Sequence, residues 1–131
     1  MRDINLIVIH CSATKEGVDY NVDQIRKWHV EERGFRDVGY HFLIHLDGTI
    51  EPGRPLAIPG AHTKGHNKHS IGIAYTGGLL HGEPFDTRTV PQIHALRAMV
   101  AAYEAIYLVT IHGHNEFSSK ACPCFDVKTE L

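Results

Sequence analysis

Histidine is the residue type that first suggests chemistry in this sequence, because it occurs 11 times in 131 residues. Imidazole is the commonest metal-binding side chain in proteins, and it gains or loses its charge near neutral pH. Three cysteines add thiolate sulfur as a second type of ligand. Three cysteines cannot all pair with one another, so we expect reduced thiols that are available to a metal ion rather than a disulfide framework.

Two places in the chain bring these residue types to the end of a predicted strand. His10 ends the first apolar run, and a segment near the C-terminus carries His112, His114, Cys122 and Cys124. Zinc prefers imidazole nitrogen and thiolate sulfur, and a catalytic zinc site uses three protein ligands with a fourth position left for water. The sequence therefore predicts a catalytic zinc site made from His10, one of these histidines and one of these cysteines.

The residues alone leave the composition of this site open. His112 and His114 would project from one face if the last strand continued through them, so either could reach the metal. Cys122 and Cys124 are equally close in sequence. A closed structural site with both cysteines is an alternative, but a Cys-x-Cys pair is shorter than the spacing typical of structural zinc modules. The remaining alternative is a scatter of structural histidines and free cysteines.

The hydrophobic pattern predicts the elements that would position these residues. Strands are expected at Ile4–Ile9, Tyr40–Leu46, Thr49–Glu51, Ser70–Thr76 and Leu108–Ile111. A first helix should begin after Asn21 and stop at Gly34, and a second should begin after Thr89. Residues 112–131 lack apolar periodicity and are expected to be irregular. Strands interleaved with two helices predict an α/β or α+β fold, in which helices pack on one layer of sheet.

Length and composition predict a single globular domain, residues 1–131. Apolar residues make up 43% and charged residues 21%, which excludes the composition of a disordered chain. The formal net charge of -2 gives no electrostatic case for nucleic acid or an anionic membrane as a partner. No segment approaches the ~20 apolar residues of a membrane span or the apolar core of a signal peptide. We therefore expect a chain that is made in the cytoplasm and is not inserted into a membrane.

Four short motifs, in order along the chain, match a known pattern. They are Ile9–Thr14 (IHCSAT), Gly39–Phe42 (GYHF) with Asp47–Thr49 (DGT), Gly60–Asn67 (GAHTKGHN) with Ser70–Gly72 (SIG), and Lys120–Pro123 (KACP) with Phe125–Asp126 (FD). These motifs resemble the type 2 N-acetylmuramoyl-L-alanine amidases, above all the small phage amidases that are historically called lysozymes. The chain is more distantly similar to the peptidoglycan recognition proteins. The resemblance covers residues 4–127.

The resemblance implies a fold and a set of zinc ligands. The family has a central mixed β-sheet flanked by helices, with zinc in a surface groove, so we expect residues 1–131 to form one amidase domain of this α/β type. His10, His114 and Cys122 match the family's zinc ligands. The choice of His114 over His112 comes from the resemblance, because His114 lies eight residues before Cys122, as in the family motif.

The resemblance also implies a reaction, which is zinc-dependent hydrolysis of the amide between N-acetylmuramic acid and L-alanine in peptidoglycan. Tyr40 and Lys120 match the active-site tyrosine and lysine. Lys120 suits stabilising a developing oxyanion, and Tyr40 suits a hydrogen bond to the water or the oxyanion, with the proton relay left open between them. The matching substrate-contact residues are His62, Thr63, Lys64 and Asn67, although Asn67 could instead hold a turn through its side chain.

Other functions stay open at this point. A non-catalytic peptidoglycan-binding module is the main alternative, but relatives that only recognise peptidoglycan typically lack the cysteine that Cys122 matches. Regulation of another protein has no motif in this sequence. We expect a monomer whose partner is peptidoglycan, acting on the cell wall after release, as an endolysin does, or recycling wall fragments. Cys124 stands where relatives usually carry a small residue, so its role as an off-register ligand or a redox-sensitive thiol is open.

Overall fold

Eight strands and three helices make up the computed structural model, which describes residues 2–131. In chain order they are β1 (Leu6–Cys11), β2 (Thr14–Lys15), α1 (Val22–Arg33), β3 (Phe42–Ile44), β4 (Ile50–Pro52), β5 (Ser70–Tyr75), β6 (Gly78–Leu80), β7 (Glu83–Pro84), α2 (Val90–Ile106), β8 (Thr110–Gly113) and α3 (Val127–Glu130). Two turns of 3-10 helix lie at Asn67–His69 and His114–Glu116.

Five of the strands form one mixed sheet in the order β4-β3-β5-β1-β8. Strand β1 pairs in parallel with β5 on one side and with β8 on the other. Strand β3 is parallel to β5, and β4 is antiparallel to β3. Because β1, β5 and β8 run in the same direction, their C-terminal ends lie along one edge of the sheet. His10 is the next-to-last residue of β1 and therefore lies at this edge.

Helices cover both faces of this sheet, which confirms the predicted α/β class. On one face, Ile7 packs with Leu96 of α2 in the larger apolar core. On the other face, Ile25 of α1 packs with Ala74. His10 is paired in register with Ala74, so its side chain projects toward the α1 face. None of the helices among residues 2–131 has the length and apolar character that crossing a membrane requires.

The caps confirm where both long helices were predicted to begin. The side chain of Asn21 accepts a hydrogen bond from the backbone N–H of Gln24, and the Gln24 side chain accepts one from the N–H of Asn21. Thr89 and Gln92 form the same reciprocal pair at the start of α2. Helix α1 ends at Gly34, whose φ of 70° suits glycine because it has no Cβ. Gly34 thus ends α1 at the turn that borders the functional site.

Several predicted limits are wrong. Ile4 is buried but precedes β1, and the last strand begins at Thr110 rather than at Leu108. A second sheet of β2, β6 and β7 was not predicted, because strands of two or three residues are too short to show alternation. Helix α3 likewise occupies part of the segment that was expected to be irregular.

Candidate metal centre

The three predicted ligands meet at one edge of the central sheet. His10 lies near the end of β1 and is 2% exposed. His114 begins the 3-10 turn that follows β8, the neighbour of β1 in the sheet. Cys122 lies in the loop between that turn and α3. The parallel pairing of β1 and β8 thus brings the two imidazoles together, and the loop adds the thiol.

The distances within this cluster fit one zinc ion. The ligand atoms offered by His10, His114 and Cys122 all lie within 4.8 Å of one another. Nδ1 of His10 is 3.8 Å from Sγ of Cys122, and the centroids of the two imidazole rings are 4.6 Å apart. Tetrahedral zinc, with bonds of about 2.0 Å to nitrogen and about 2.3 Å to sulfur, holds its ligand atoms about 3.3 to 3.6 Å apart. The donor set therefore suits zinc in its chemistry, and the 3.8 Å between Nδ1 of His10 and Sγ of Cys122 is slightly wider than in a zinc-bound pair.

Neighbouring groups favour the protonation states that bind a metal. A hydrogen bond from the Cys11 thiol lowers the pKa of Cys122 against the effect of burial, and the backbone N–H of Cys11 adds a second bond at 3.2 Å from Sγ. Burial, together with the neighbouring His62 and His114, lowers the pKa of His10 well below 6.5. Thiolate and neutral imidazole are the forms that metal ions bind.

The structure distinguishes His112 from His114, between which the residues alone could not choose a ligand. Strand β8 ends before His114, so His112 and His114 do not continue one strand and need not share a face. Nδ1 of His112 lies 2.9 Å from a carboxylate oxygen of Glu116, and its Nε2 lies 2.8 Å from the hydroxyl of Thr110. His112 is therefore engaged outside the cluster, whereas His114 faces His10.

Cys124 lies beside the cluster without joining it. Its Sγ is 4.0 Å from Sγ of Cys11, and its thiol donates to the carbonyl of Gly78 at 3.4 Å. Burial raises the pKa of Cys124 to about 12, so this side chain is a protonated thiol near neutral pH. The cluster therefore contains the thiol of Cys122 and not that of Cys124.

A cleft of about 190 Å³ opens over the cluster and includes Tyr40 and Lys120 in its lining. The ring of Tyr40 lies 5.2 Å from the ring of His10 between centroids, and its hydroxyl donates to the carbonyl of Cys11 at 3.4 Å. Burial raises the pKa of Tyr40, so the phenol stays protonated near neutral pH. Burial, followed by the charge of Lys120, lowers the pKa of His114. The cleft thus combines a metal-binding cluster with a neutral hydrogen-bond donor and a cation.

Comparison with known proteins decides the family. Residues 1–125 match the family described as N-acetylmuramoyl-L-alanine amidase. The chain belongs to this family. The endolysin of Escherichia phage T7 is 44% identical over 124 residues, which are 93% of this chain and 82% of that protein. The N-acetylmuramoyl-L-alanine amidase LysC from Clostridium intestinale superposes with a TM-score of 0.80 at 30% identity, over 93% of this chain and 77% of LysC. The structure of peptidoglycan recognition protein LE in complex with tracheal cytotoxin superposes with a TM-score of 0.78 at 25% identity. The match covers 94% of this chain and 75% of that protein.

This membership confirms the enzyme class that the motifs predicted, an amidase of the endolysin type that hydrolyses peptidoglycan. The matched range includes every residue of the cluster and the cleft that the motifs singled out, namely His10, Tyr40, His114, Lys120 and Cys122.

The amidase loop that was predicted to contact substrate is largely turned inward. His62 and Thr63 are only 8% and 1% exposed, and Nδ1 of His62 lies 2.9 Å from Nε2 of His10. The side-chain oxygen of Asn67 accepts hydrogen bonds from the backbone N–H groups of His62 and Thr63, at 3.0 and 2.9 Å. Asn67 therefore holds a turn, which was the alternative for this residue. Of the four predicted contacts, Lys64 presents an exposed side chain.

One wall of the amidase cleft comes from α1, which the motifs did not include. Trp28, His29, Glu32 and Arg33 line this wall. The ring of Trp28 also packs on the apolar cluster under α1, so it serves the core as well as the wall. The helical spacing of the four residues places them on neighbouring turns of one face, which is the signal that could have identified the wall.

Proposed function

We propose that the amidase holds one zinc ion through Nδ1 of His10, His114 and the thiolate of Cys122, in a single domain formed by residues 1–131. The observation that carries this proposal is the convergence of two imidazoles and a thiol, with all ligand atoms within 4.8 Å. Zinc held in this way supplies a Lewis acid that polarises an amide carbonyl and makes water more acidic at neutral pH. The bond to be cut is the amide between N-acetylmuramic acid and L-alanine in peptidoglycan.

Lys120 and Tyr40 have separate tasks in this proposal. Negative charge develops on the amide oxygen as the carbonyl carbon becomes tetrahedral, and the Lys120 ammonium at the rim of the cleft stabilises that charge. Tyr40 donates a hydrogen bond in the cleft, because burial raises the pKa of its phenol and keeps the proton in place. A phenol in this state is a poor base, so Tyr40 orients the reacting groups and does not accept the first proton.

The substrate should lie in a groove that continues from the cleft between the end of α1 and the loop at residues 61–67. Arg33, Lys64 and Lys120 give this groove three cationic side chains. Cations of this kind suit the carboxylates of a stem peptide. Lys64 is the substrate contact retained from the sequence prediction, with Asn67 at the groove but engaged in its own loop. The partner of this surface is peptidoglycan, and the place of action is the cell wall.

Peptidoglycan digestion with and without a chelator tests the proposal. Purified peptidoglycan is incubated with the protein, with the protein plus chelator, and with the chelated protein after zinc is restored. We expect new N-terminal L-alanine in the first and third samples and none in the second. Binding to peptidoglycan without release of N-terminal alanine from zinc-loaded protein would show recognition without hydrolysis and would overturn the proposal.

A further inference from the structure

The two ring nitrogens of His10 face different surroundings. Nδ1 is the nitrogen near Sγ of Cys122, and Nε2 faces the loop that carries His62. Nε2 lies 2.9 Å from Nδ1 of His62 and 3.3 Å from the hydroxyl of Thr63. This second environment is closed to solvent, because all three side chains that form it are buried. The hydrogen bond at Nε2 is therefore made to the protein interior.

Counting protons along this contact assigns a role to each nitrogen. If Nδ1 of His10 offers its lone pair to the metal, Nε2 carries the hydrogen and must donate it. Nδ1 of His62 is then an acceptor, since two N–H groups cannot face each other at 2.9 Å. The hydrogen of His62 sits on Nε2, which lies 3.2 Å from the hydroxyl oxygen of Ser70. The order of donation is thus His10 to His62 to Ser70.

The ring of His62 is held in a single orientation. A Cβ added at Gly72 would stand 2.5 Å from a ring carbon of His62, and a Cβ added at Gly60 would stand 2.6 Å from the same ring. The backbone that carries the ring is held by Asn67, whose side-chain oxygen accepts from the N–H groups of His62 and Thr63. In this packing Nδ1 of His62 is the nitrogen that faces His10.

From these contacts, and resting on the proposed function, we propose that His62 is a positioning residue of the amidase. As a neutral acceptor, its imidazole keeps the hydrogen of His10 on Nε2 and sets the angle at which Nδ1 of His10 faces the metal. The usual partner of a metal-binding histidine is a carboxylate, a backbone carbonyl or water. A neutral imidazole in that place orients the ligand without adding a negative charge beside the metal, so the ion keeps more of its Lewis acidity. His62 acts through His10 and does not contact the substrate.

Zinc affinity in three matched variants tests this role. His62→Leu removes the nearer acceptor and leaves only the Thr63 hydroxyl at 3.3 Å from Nε2 of His10. His62→Asn restores an acceptor, because the Asn carbonyl occupies the position of Nδ1. His45→Leu is the control: His45 is a half-buried histidine whose nitrogens lie 3.0 Å from a carboxylate oxygen of Asp19 and 2.8 Å from one of Glu51. Competition with a chelator gives the zinc affinity of each folded variant.

We expect His62→Leu to weaken zinc binding by about 10- to 100-fold, with His62→Asn recovering most of the loss. His45→Leu should lower the unfolding temperature and leave zinc affinity within about twofold of wild type. A long-range ¹H–¹⁵N spectrum of the zinc-loaded wild type should show His10 and His62 both protonated on Nε2. This spectrum needs no variant and tests the assignment even where a substitution impairs folding.

Two results would overturn the inference. One is unchanged zinc affinity in His62→Leu together with a raised KM, which is the signature of a substrate contact. The other is a spectrum in which His62 carries its hydrogen on Nδ1. A wild-type protein that binds no zinc would instead contradict the proposed function. Failure of the positioning role of His62 can therefore be distinguished from failure of the proposed function.

Discussion

Sγ of Cys122 lies 3.8 Å from Nδ1 of His10, although 112 positions separate the two residues in the chain. The strand that carries His10 also orients the sulfur, since the backbone N–H of Cys11 donates to it at 3.2 Å. The loop that carries Cys122 is tied to β5, where the hydroxyl of Tyr75 donates to the carbonyl of Pro123 at 2.6 Å. Two strands of the central sheet therefore position the third ligand.

Replacing Cys122 by serine should abolish both zinc binding and amide hydrolysis, because a hydroxyl is a far poorer zinc ligand than a thiolate. Elemental analysis of the purified variant gives the number of zinc ions per chain. Cys124→Ser is the matched control, since its sulfur lies outside the cluster, and it should keep a full complement of zinc. A full complement in Cys122→Ser would contradict the assignment.

Tyr40→Phe and Lys120→Ala should each keep zinc but slow turnover by about 10²-fold or more, because each removes a group that acts on charge or orientation in the transition state. Release of N-terminal L-alanine from peptidoglycan at saturating zinc measures kcat. Lys68→Ala is the control. It removes an exposed lysine from the 3-10 turn at Asn67–His69 and should leave kcat normal. Wild-type turnover in either cleft variant would refute its role.

His114→Ala should lose zinc, whereas His112→Ala should retain it. The imidazole of His114 faces His10, while His112 is held by Glu116 and Thr110. Zinc content after gel filtration distinguishes the two variants, and circular dichroism confirms that both are folded. The reverse pattern, with zinc lost only in His112→Ala, would show that the ligand assignment is wrong.

Local sequence signals predicted the elements better than they predicted the site. Reciprocal capping pairs such as Asn21 with Gln24 are visible within four residues, so both long helices were located correctly. The choice of His114 over His112 depends on where β8 stops beside β1, which is a long-range pairing that no local pattern encodes. Only the family motif, with its fixed spacing to Cys122, supplied that choice from the sequence.

The role of His62 shows why a motif match does not assign a contact. The motif places His62 in a loop near the substrate, and the structure confirms that the loop borders the groove. Which way the ring points depends on the absence of a side chain at Gly72, a residue of the central sheet. That packing is invisible to residue type and spacing, so the sequence could identify the loop but not the direction of its side chains.

Tyr75→Phe should lower the free energy of unfolding by about 1 to 3 kcal/mol, because the buried carbonyl of Pro123 loses its donor. The same change should weaken zinc binding, since Pro123 is adjacent to Cys122. Denaturant titration and chelator competition measure the two effects. Tyr107→Phe, a half-buried tyrosine just after α2, is the control with neither effect. Unchanged stability in Tyr75→Phe would mean that this hydrogen bond does not hold the loop.

Acid should destabilise the zinc-free protein through buried histidines outside the cluster, among them His29 and His41. Burial lowers the pKa of His29 and of His41 from 6.5 to about 4 in each case. Below pH 6.5 these histidines therefore bind protons in the unfolded chain but not in the folded chain. Their contribution to the free energy of unfolding is fully present above pH 6.5 and is lost as the pH falls toward 4. Each such group adds up to about 1.4 kcal/mol per pH unit to the slope of stability against pH.

The slope of unfolding free energy between about pH 6 and pH 4.5 isolates the contribution of His29. His29→Asn keeps an acceptor for the N–H of Gly39, which lies 2.8 Å from Nδ1 of His29, but it cannot take up a proton. Its slope should be shallower than that of wild type by about 1 kcal/mol per pH unit. An equal slope in the two proteins would mean that His29 titrates normally in the folded state, and a steeper slope in the variant would reverse the sign of the argument.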